Sequence, residues 1–230
     1  MELSKRLNFI VENIDNATIL ADIGTDHGYI PLYALKNGIC SKAIAVDINK
    51  EPLDKARLNA ILEGMGDELE FRLGDGFKVL EKNEVEVAII AGMGGNLIKD
   101  ILEEEIEKVN SMKYLILQPA QNPEVLREYL YNNNYEIIKE DLCLDDDIYY
   151  ELFKVRRKEG EATKLDSIYY EVSPKLLMQK HSLMKGYLIS KVENYKKILS
   201  CITESTISAN ERRKLINDKI EIINNMINFI

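Results

Sequence analysis

The 230-residue sequence contains no tryptophan, two histidines and three cysteines. Cys40, Cys143 and Cys201 are odd in number, far apart and without histidine neighbours. That excludes a disulfide framework and a zinc site of ordinary spacing, so the cysteines read as reduced thiols and no metal is expected. With no Trp and aromatics at 7%, there is no aromatic-rich platform on which a single nucleic-acid strand would stack. Long apolar runs are missing as well. Val87 to Ala91 falls far short of the roughly 20 residues of a spanning helix, so no membrane partner is expected. The N-terminus lacks the basic, apolar and small-residue succession of a signal peptide, and the expected location is the cytoplasm.

Positive charge is scarce. Thirty Lys and Arg stand against 39 Asp and Glu, a net charge of −9. At first sight that opposes a nucleic-acid partner, because phosphate contacts need Lys and Arg. The deficit is uneven, however: residues 1–159 carry 19 basic against 31 acidic side chains, and residues 160–230 carry 11 against 8. A hydrophobic share of 46% with 30% charge is that of a folded domain with a real core.

What is present is organised around Ala21-Asp22-Ile23-Gly24-Thr25-Asp26-His27-Gly28-Tyr29-Ile30-Pro31. An apolar strand, Ile19 to Ile23, runs into a turn with Gly24 and Gly28. In an open α/β sheet, ligands sit beyond the carboxyl ends of the strands, and the first strand-to-helix turn must let backbone approach them. The dinucleotide fingerprint Gly-x-Gly-x-x-Gly, which brings a pyrophosphate onto a helix N-terminus, is absent. In its place stands Asp-x-Gly-x-x-x-Gly, which resembles the first motif of S-adenosylmethionine (SAM) methyltransferases, whose ligand has no phosphate and carries a sulfonium. The alternative is an ordinary glycine turn in another Rossmann-like domain.

Around this turn the chain alternates. Leu3, Leu7, Ile10, Val11 and Ile14 recur at helical spacing and predict an opening amphipathic helix. Lys5 and Arg6 fall off that stripe, either as a solvated face or with Arg6 presented to substrate phosphate. Tyr29 to Asn37 reads as a helix ended by Gly38, and Lys42 to Asp47 as a second strand ending in an acid. That places Asp47, with Ile48 beside it, to meet the ribose hydroxyls of a nucleoside. Glu51 to Met65 reads as a helix with Leu53, Ala56, Leu58 and Ile61 among its apolar positions, closed by Gly64 and Gly66. Leu69 to Leu73 is a third strand leading into Gly74-Asp75-Gly76. Asp75 is there either an acceptor for the adenine amine or a helix cap.

A fourth strand, Val85 to Ala91, meets Gly92-Met93-Gly94-Gly95 and a helix from Asn96 to about Glu107. Its turn faces the methyl donor, and Gly92 and Met93 are assigned to the cofactor wall. Lys113 to Gln118 is a fifth strand ended by Pro119, with a helix from Pro123 to Asn132. Tyr135 to Leu142 and Ile148 to Val155 close the sheet as a hairpin, the last strand antiparallel. Lys154 to Lys158 is read as a solvated hinge away from the cofactor. From Pro174 a long helix carries a heptad-like stripe through Ile202, and after a break at Thr203 to Ala209 a second helix follows. This predicts an antiparallel hairpin whose lysines and arginines are a solubilising surface or an RNA-binding arm. His181 on it is structural or exposed. The expected architecture is a Rossmann-like, seven-stranded α/β sheet over residues 1–159, then a helical coiled-coil domain over residues 160–230.

With Asp22 to Pro31, Ala91-Gly92-Met93-Gly94-Gly95, Leu115-Ile116-Leu117-Gln118-Pro119 and Leu126-Arg127-Glu128-Tyr129-Leu130 in this order, the chain resembles the TrmK family of bacterial tRNA adenine-22 N1-methyltransferases. The resemblance implies SAM as cofactor and tRNA as partner. It implies a cofactor site of Asp22, Gly24, His27, Gly28, Asp47, Ile48, Asp75, Gly76, Gly92 and Met93, and a substrate side of Arg6, Tyr29, Gln118 and Pro119. Asp26 is the first candidate for stabilising the methylated adenine. Where family members often read Gln-Pro-Asn, this chain has Gln118-Pro119-Ala120, and Asn122 is the candidate to supply the amide. A small-molecule methyltransferase and a non-catalytic SAM-binding or partner-binding protein are the competing functions.

Overall fold

The computed structural model describes residues 2–230, which form two compact units, residues 2–164 and Leu165–Ile230. The division falls after Lys164 rather than Glu159.

In the first unit, helix α1 (Lys5–Val11) precedes strand β1 (Ala17–Ile23), helix α2 (Tyr29–Lys36), strand β2 (Cys40–Asp47), helix α3 (Lys50–Glu63) and strand β3 (Leu69–Leu73). A 3-10 turn (Gly76–Val79) leads to β4 (Val87–Gly94), α4 (Gly95–Glu104), the short α5 (Ile106–Val109), β5 (Tyr114–Gln121), α6 (Pro123–Asn132), β6 (Tyr135–Asp145) and β7 (Ile148–Arg157). The sheet order is β3-β2-β1-β4-β5-β7-β6, parallel except for β7, which runs antiparallel to both β5 and β6. Chain order reverses between β1 and β4, so a crevice opens beyond the carboxyl ends of these two strands.

The strands are apolar on both faces because helices cover both. Along β4, Ala88 and Ile90 join one core cluster with Ile98, Leu102 and Leu126, while Val87 and Ile89 join the other with Ile10, Leu32 and Leu53. Successive side chains of a strand point to opposite faces, so each strand feeds both cores. Ile89, Ile90, Leu102 and Leu126 are wholly buried, and truncating any of them to Ala costs about 2–5 kcal/mol.

Four local expectations are corrected. Leu58 and Ile61 on α3 are exposed, at 58% and 66%, while Leu53, Ala56 and Ala60 make its buried face. Pro119 does not end β5; it lies opposite Met93 at a register shift. Because β7 pairs β5 only at Leu115–Leu117, no ladder bond on that side needs the missing proline N–H. Lys154 is buried, paired with Asp15 at 2.6 Å and set 4.3 Å from the Tyr114 ring, and Val155 is buried too, so only Arg156 to Lys158 reach solvent.

The long helix expected from Pro174 is the fourth. The second unit holds α7 (Ser167–Glu171), α8 (Pro174–Met178), α9 (Met184–Cys201) and α10 (Ile207–Phe229). After α8, Lys180 adopts φ 48, its N–H bonds to Leu177 O and the His181 N–H bonds to Leu176 O. These are the two bonds of a Schellman stop, with Lys where glycine is usual. Glu171 accepts from the Tyr195 hydroxyl and from Lys219, which ties α7 to α9 and α10. Among the described residues no helix is long and apolar enough to cross a membrane.

Candidate active site

The turn after β1 is fixed from below. The N–H groups of Gly24 and Thr25 both donate to Val46 O at the end of β2, at 2.8 and 2.9 Å. Gly24 has φ 75, and a Cβ there would overlap Met93 Cε. Gly28 has φ 69, and its Cβ would lie 2.9 Å from that of Ala56. Both positions favour glycine for their left-handed conformation, and Gly28 also for its close approach to Ala56. His27 is also left-handed, at φ 58, and its carbonyl accepts from Asn59 Nδ2 at 2.9 Å.

Asp22 is buried at the end of β1, with its Oδ2 accepting from the Thr25 hydroxyl at 2.6 Å. Its carboxyl pKa is pushed up to about 6 by burial, against the lowering effect of the Thr25 bond, with Asp26 and Asp47 adding repulsion. Three carboxylates therefore bear on one crevice, and a cation entering it relieves them. Asp47 closes β2 and takes the Asn49 N–H on Oδ1 at 2.7 Å. Ile48 beside it is 68% exposed, and Leu73, paired with Asp47 across the sheet, is 58% exposed.

Arg6, Asp22, Gly24, Asp26 and Tyr29 line one small cleft together with Leu7, Ile30 and Ala91. Arg6 Nη1 donates to Gln118 Oε1 at 2.7 Å, and the guanidinium lies 5.8 Å from the Tyr150 ring. Among the described residues no carboxylate pairs with that guanidinium within 4.0 Å. The Arg6 backbone N–H donates to Asp145 Oδ2 at 2.9 Å. Gln118 is wholly buried and donates to Pro119 O at 2.7 Å, so Gln118 and Pro119 enter the site through Arg6. Gly92 lies beside Arg6 Nη1, and Met93 lies across Gly24.

Asp26 is exposed and contacts His27 Nε2 at 3.2 Å; the His27 ring stacks on Tyr29 with centroids 5.4 Å apart. The N-cap of α2 is Gly28, not Asp26, so capping does not account for this acid. Asp75 and Gly76 lie apart from this cleft, after β3. Asp75 makes no capping hydrogen bond; its Oδ2 takes Lys78 at 2.5 Å. Asn122 sits on the β5–α6 turn, exposed and left-handed at φ 54, with its carbonyl where a side chain on Gly95 would be.

Sequence reasoning missed Thr25, Asn59, Asp145 and Tyr150 as supports of the site. Thr25, three residues after Asp22, was within reach of local inspection; the others arrive from distant elements. It also missed what Arg127 does. On α6 that guanidinium is wholly buried, bonded through Nε to Glu140 at 2.7 Å and through Nη2 to Glu151, and stacked 4.8 Å from the Phe153 ring centroid. It clamps α6, and with it the turn bearing Asn122, onto β6 and β7.

The chain is 32% identical to the tRNA (adenine(22)-N(1))-methyltransferase of Bacillus subtilis, over 99% of its own length and 98% of that protein's. The crystal structure of the B. subtilis m1A22 tRNA methyltransferase TrmK superposes with a TM-score of 0.86, covering 98% of this chain and 99% of that one. TrmK of M. capricolum, solved in complex with the cofactor product S-adenosyl-homocysteine, superposes at 0.83 with 31% identity, covering 99% and 100%. Residues 20–225 match the family described as TrmK, tRNA (adenine(22)-N(1))-methyltransferase, and the chain belongs to that family.

Proposed function

We propose that this protein transfers a methyl group from SAM to N1 of adenine 22 in tRNA. The observation that carries the reading is the acid-lined crevice at the switch point, with Asp22, Asp26 and Asp47 gathered around a turn that places Gly24 and Gly28 in the left-handed region. The residues fit the cofactor: a buried, a half-buried and an exposed carboxylate suit a ligand with a sulfonium and an ammonium, and the crevice has no phosphate-binding fingerprint.

In this reading Asp47 accepts from the ribose hydroxyls through Oδ2, the oxygen that Asn49 leaves open. Ile48 and the adjacent exposed Leu73 offer apolar surface to the adenine ring. Asp75 has one oxygen held by Lys78 and its other oxygen for the adenine amine. Gly24, His27, Gly28 and Gly76 shape the turns, and Gly92 and Met93 wall the methyl-transfer side. Bound there, SAM supplies a methyl group already activated by its sulfonium. The residues then have little proton chemistry to do, because adenine N1 carries a lone pair.

Positioning dominates, and well-aligned reacting groups gain roughly 7–11 kcal/mol in the most favourable intramolecular cases. N1 lies on the pairing edge, so the base must be unpaired before reaction at a cost of a few kcal/mol. Arg6, with Gln118 setting its direction, takes a substrate phosphate, and Tyr29 bounds the base. Asn122 contributes its amide to the base edge. Asp26 accepts from the exocyclic amine as positive charge spreads over N1 and that nitrogen.

We place this work in the cytoplasm, consistent with three unpaired cysteines. Nucleoside mass spectrometry of tRNA incubated with protein and SAM tests the reading. 1-Methyladenosine is the expected product, and its absence with well-folded tRNA refutes the assignment.

A further inference from the structure

Between α7, α8 and the last turns of α10 lies an apolar groove of about 490 Å³, lined by Tyr169, Leu177, Met178, Ile222, Met226 and Phe229. Met178 is 80% exposed, Phe229 61% and Ile222 41%. A contiguous exposed patch of this kind marks a contact surface rather than a core. The helix stop at Lys180 contributes to it directly. Lys180 Nζ stands 5.3 Å from the Phe229 ring centroid and donates to Phe229 O at 3.3 Å, so an ammonium stands beside the Phe229 end of the groove.

We propose that this groove receives an unstacked nucleobase of the tRNA substrate. It rests on the reading of the protein as a tRNA methyltransferase. An aromatic and a thioether face beside an ammonium suit a planar heterocycle attached to a phosphate. Folded RNA presents such bases in its loops. Charge favours this occupant over a second copy of the chain. Residues 165–230 carry 10 Lys and Arg against 7 Asp and Glu, whereas residues 1–164 carry 20 against 32. A second copy would set one net-positive unit against another, and RNA would neutralise it.

The test uses the full-length protein with Met178→Ala and Phe229→Ala combined, both at exposed positions where folding is little affected. Fluorescence anisotropy gives tRNA affinity over a series of salt concentrations, calorimetry gives SAM affinity, and sedimentation velocity gives the oligomeric state. The expected result is a tRNA Kd raised about tenfold, with an unchanged salt slope because stacking releases no counterions. SAM affinity and the methylation rate at saturating tRNA stay at wild-type values. Lys180→Ala lowers the salt slope by about one. A wild-type protein that makes 1-methyladenosine, alongside a double variant of unchanged tRNA affinity, overturns the groove and leaves the enzyme assignment standing. A double variant that loses self-association without losing tRNA affinity makes the groove an interface between copies. Failure of the wild type to methylate tRNA removes the assignment itself.

Discussion

The two units hold themselves together differently. Residues 2–164 close two apolar clusters over the faces of a seven-stranded sheet, and the wholly buried Arg127 is paired there with Glu140 and Glu151. In residues 165–230 the two long helices bury few side chains, among them Met184, Leu188, Ile216 and Ile223, and leave Ile207, Leu215 and Phe229 open to solvent, as is Met178 at the end of α8. The first unit encloses a site between fixed turns. The second presents surface, with an excess of basic side chains. A site that must align two reacting atoms needs rigid neighbours, whereas a surface that meets a long polyanion needs reach and charge.

The contrast is broken most severely at Arg127. Arg127→Ala leaves two carboxylates buried without their partner, and the expected loss is about 3–5 kcal/mol of stability, read as a lowered denaturation midpoint. Helical signal from the second unit that persists past that midpoint would sharpen the division between the units.

Removing residues 165–230 tests the division directly. The remaining unit is expected to keep its circular dichroism and to bind SAM within about twofold of wild type, but to lose at least about a hundredfold in tRNA methylation at low tRNA, roughly 2.7 kcal/mol. Full turnover by the truncated protein would make the second unit dispensable.

Within the first unit, Asp47→Ala removes a carboxylate from a half-buried strand end without opening the core. The expected change is a SAM Kd raised roughly thirtyfold, about 2 kcal/mol, with near-normal stability. An unchanged calorimetric titration takes Asp47 out of the site. Asp26→Asn keeps size and removes charge. Folding and SAM binding are expected to persist while single-turnover methylation falls at least about tenfold, or roughly 1.4 kcal/mol. A wild-type rate would leave the Asp26 carboxylate without a chemical role.

The smallest effect is a pH dependence. Asp22 has its pKa raised to about 6 by burial, so lowering the pH through 6 neutralises a carboxylate that, in the proposed site, attracts the cationic cofactor. SAM affinity is expected to be about fourfold weaker at pH 5.5 than at pH 7.5, and Asp22→Asn should be weak and flat across that range. An affinity that rises on acidification would give Asp22 a different function.

Asp22, Gly24, Gly28 and Asp47 were legible because a strand, a glycine turn and an acid at the next strand's end are local patterns with one common geometric use. The hairpin of β6 and β7 was legible from two strands with no helix between them. Arg6 was left open because a charge off an apolar stripe reads the same whether it meets water or a site. Only packing against Gln118, Asp145 and Tyr150 separates the two. The stop at Lys180 stayed hidden because lysine carries none of the signal that glycine gives at a left-handed position.

By itself the sequence determined the strand and helix order of the first unit, the glycine turn and the charge contrast between the two units, since periodicity, turn chemistry and composition are properties of neighbouring residues. The tertiary structure alone decided that Asp22 is desolvated beside Asp26 and Asp47, that Arg127 is clamped by two glutamates, and that Met178 and Phe229 share a groove. Each of these depends on which distant segments exclude water together, and desolvation is set by the whole enclosure, not by sequence spacing.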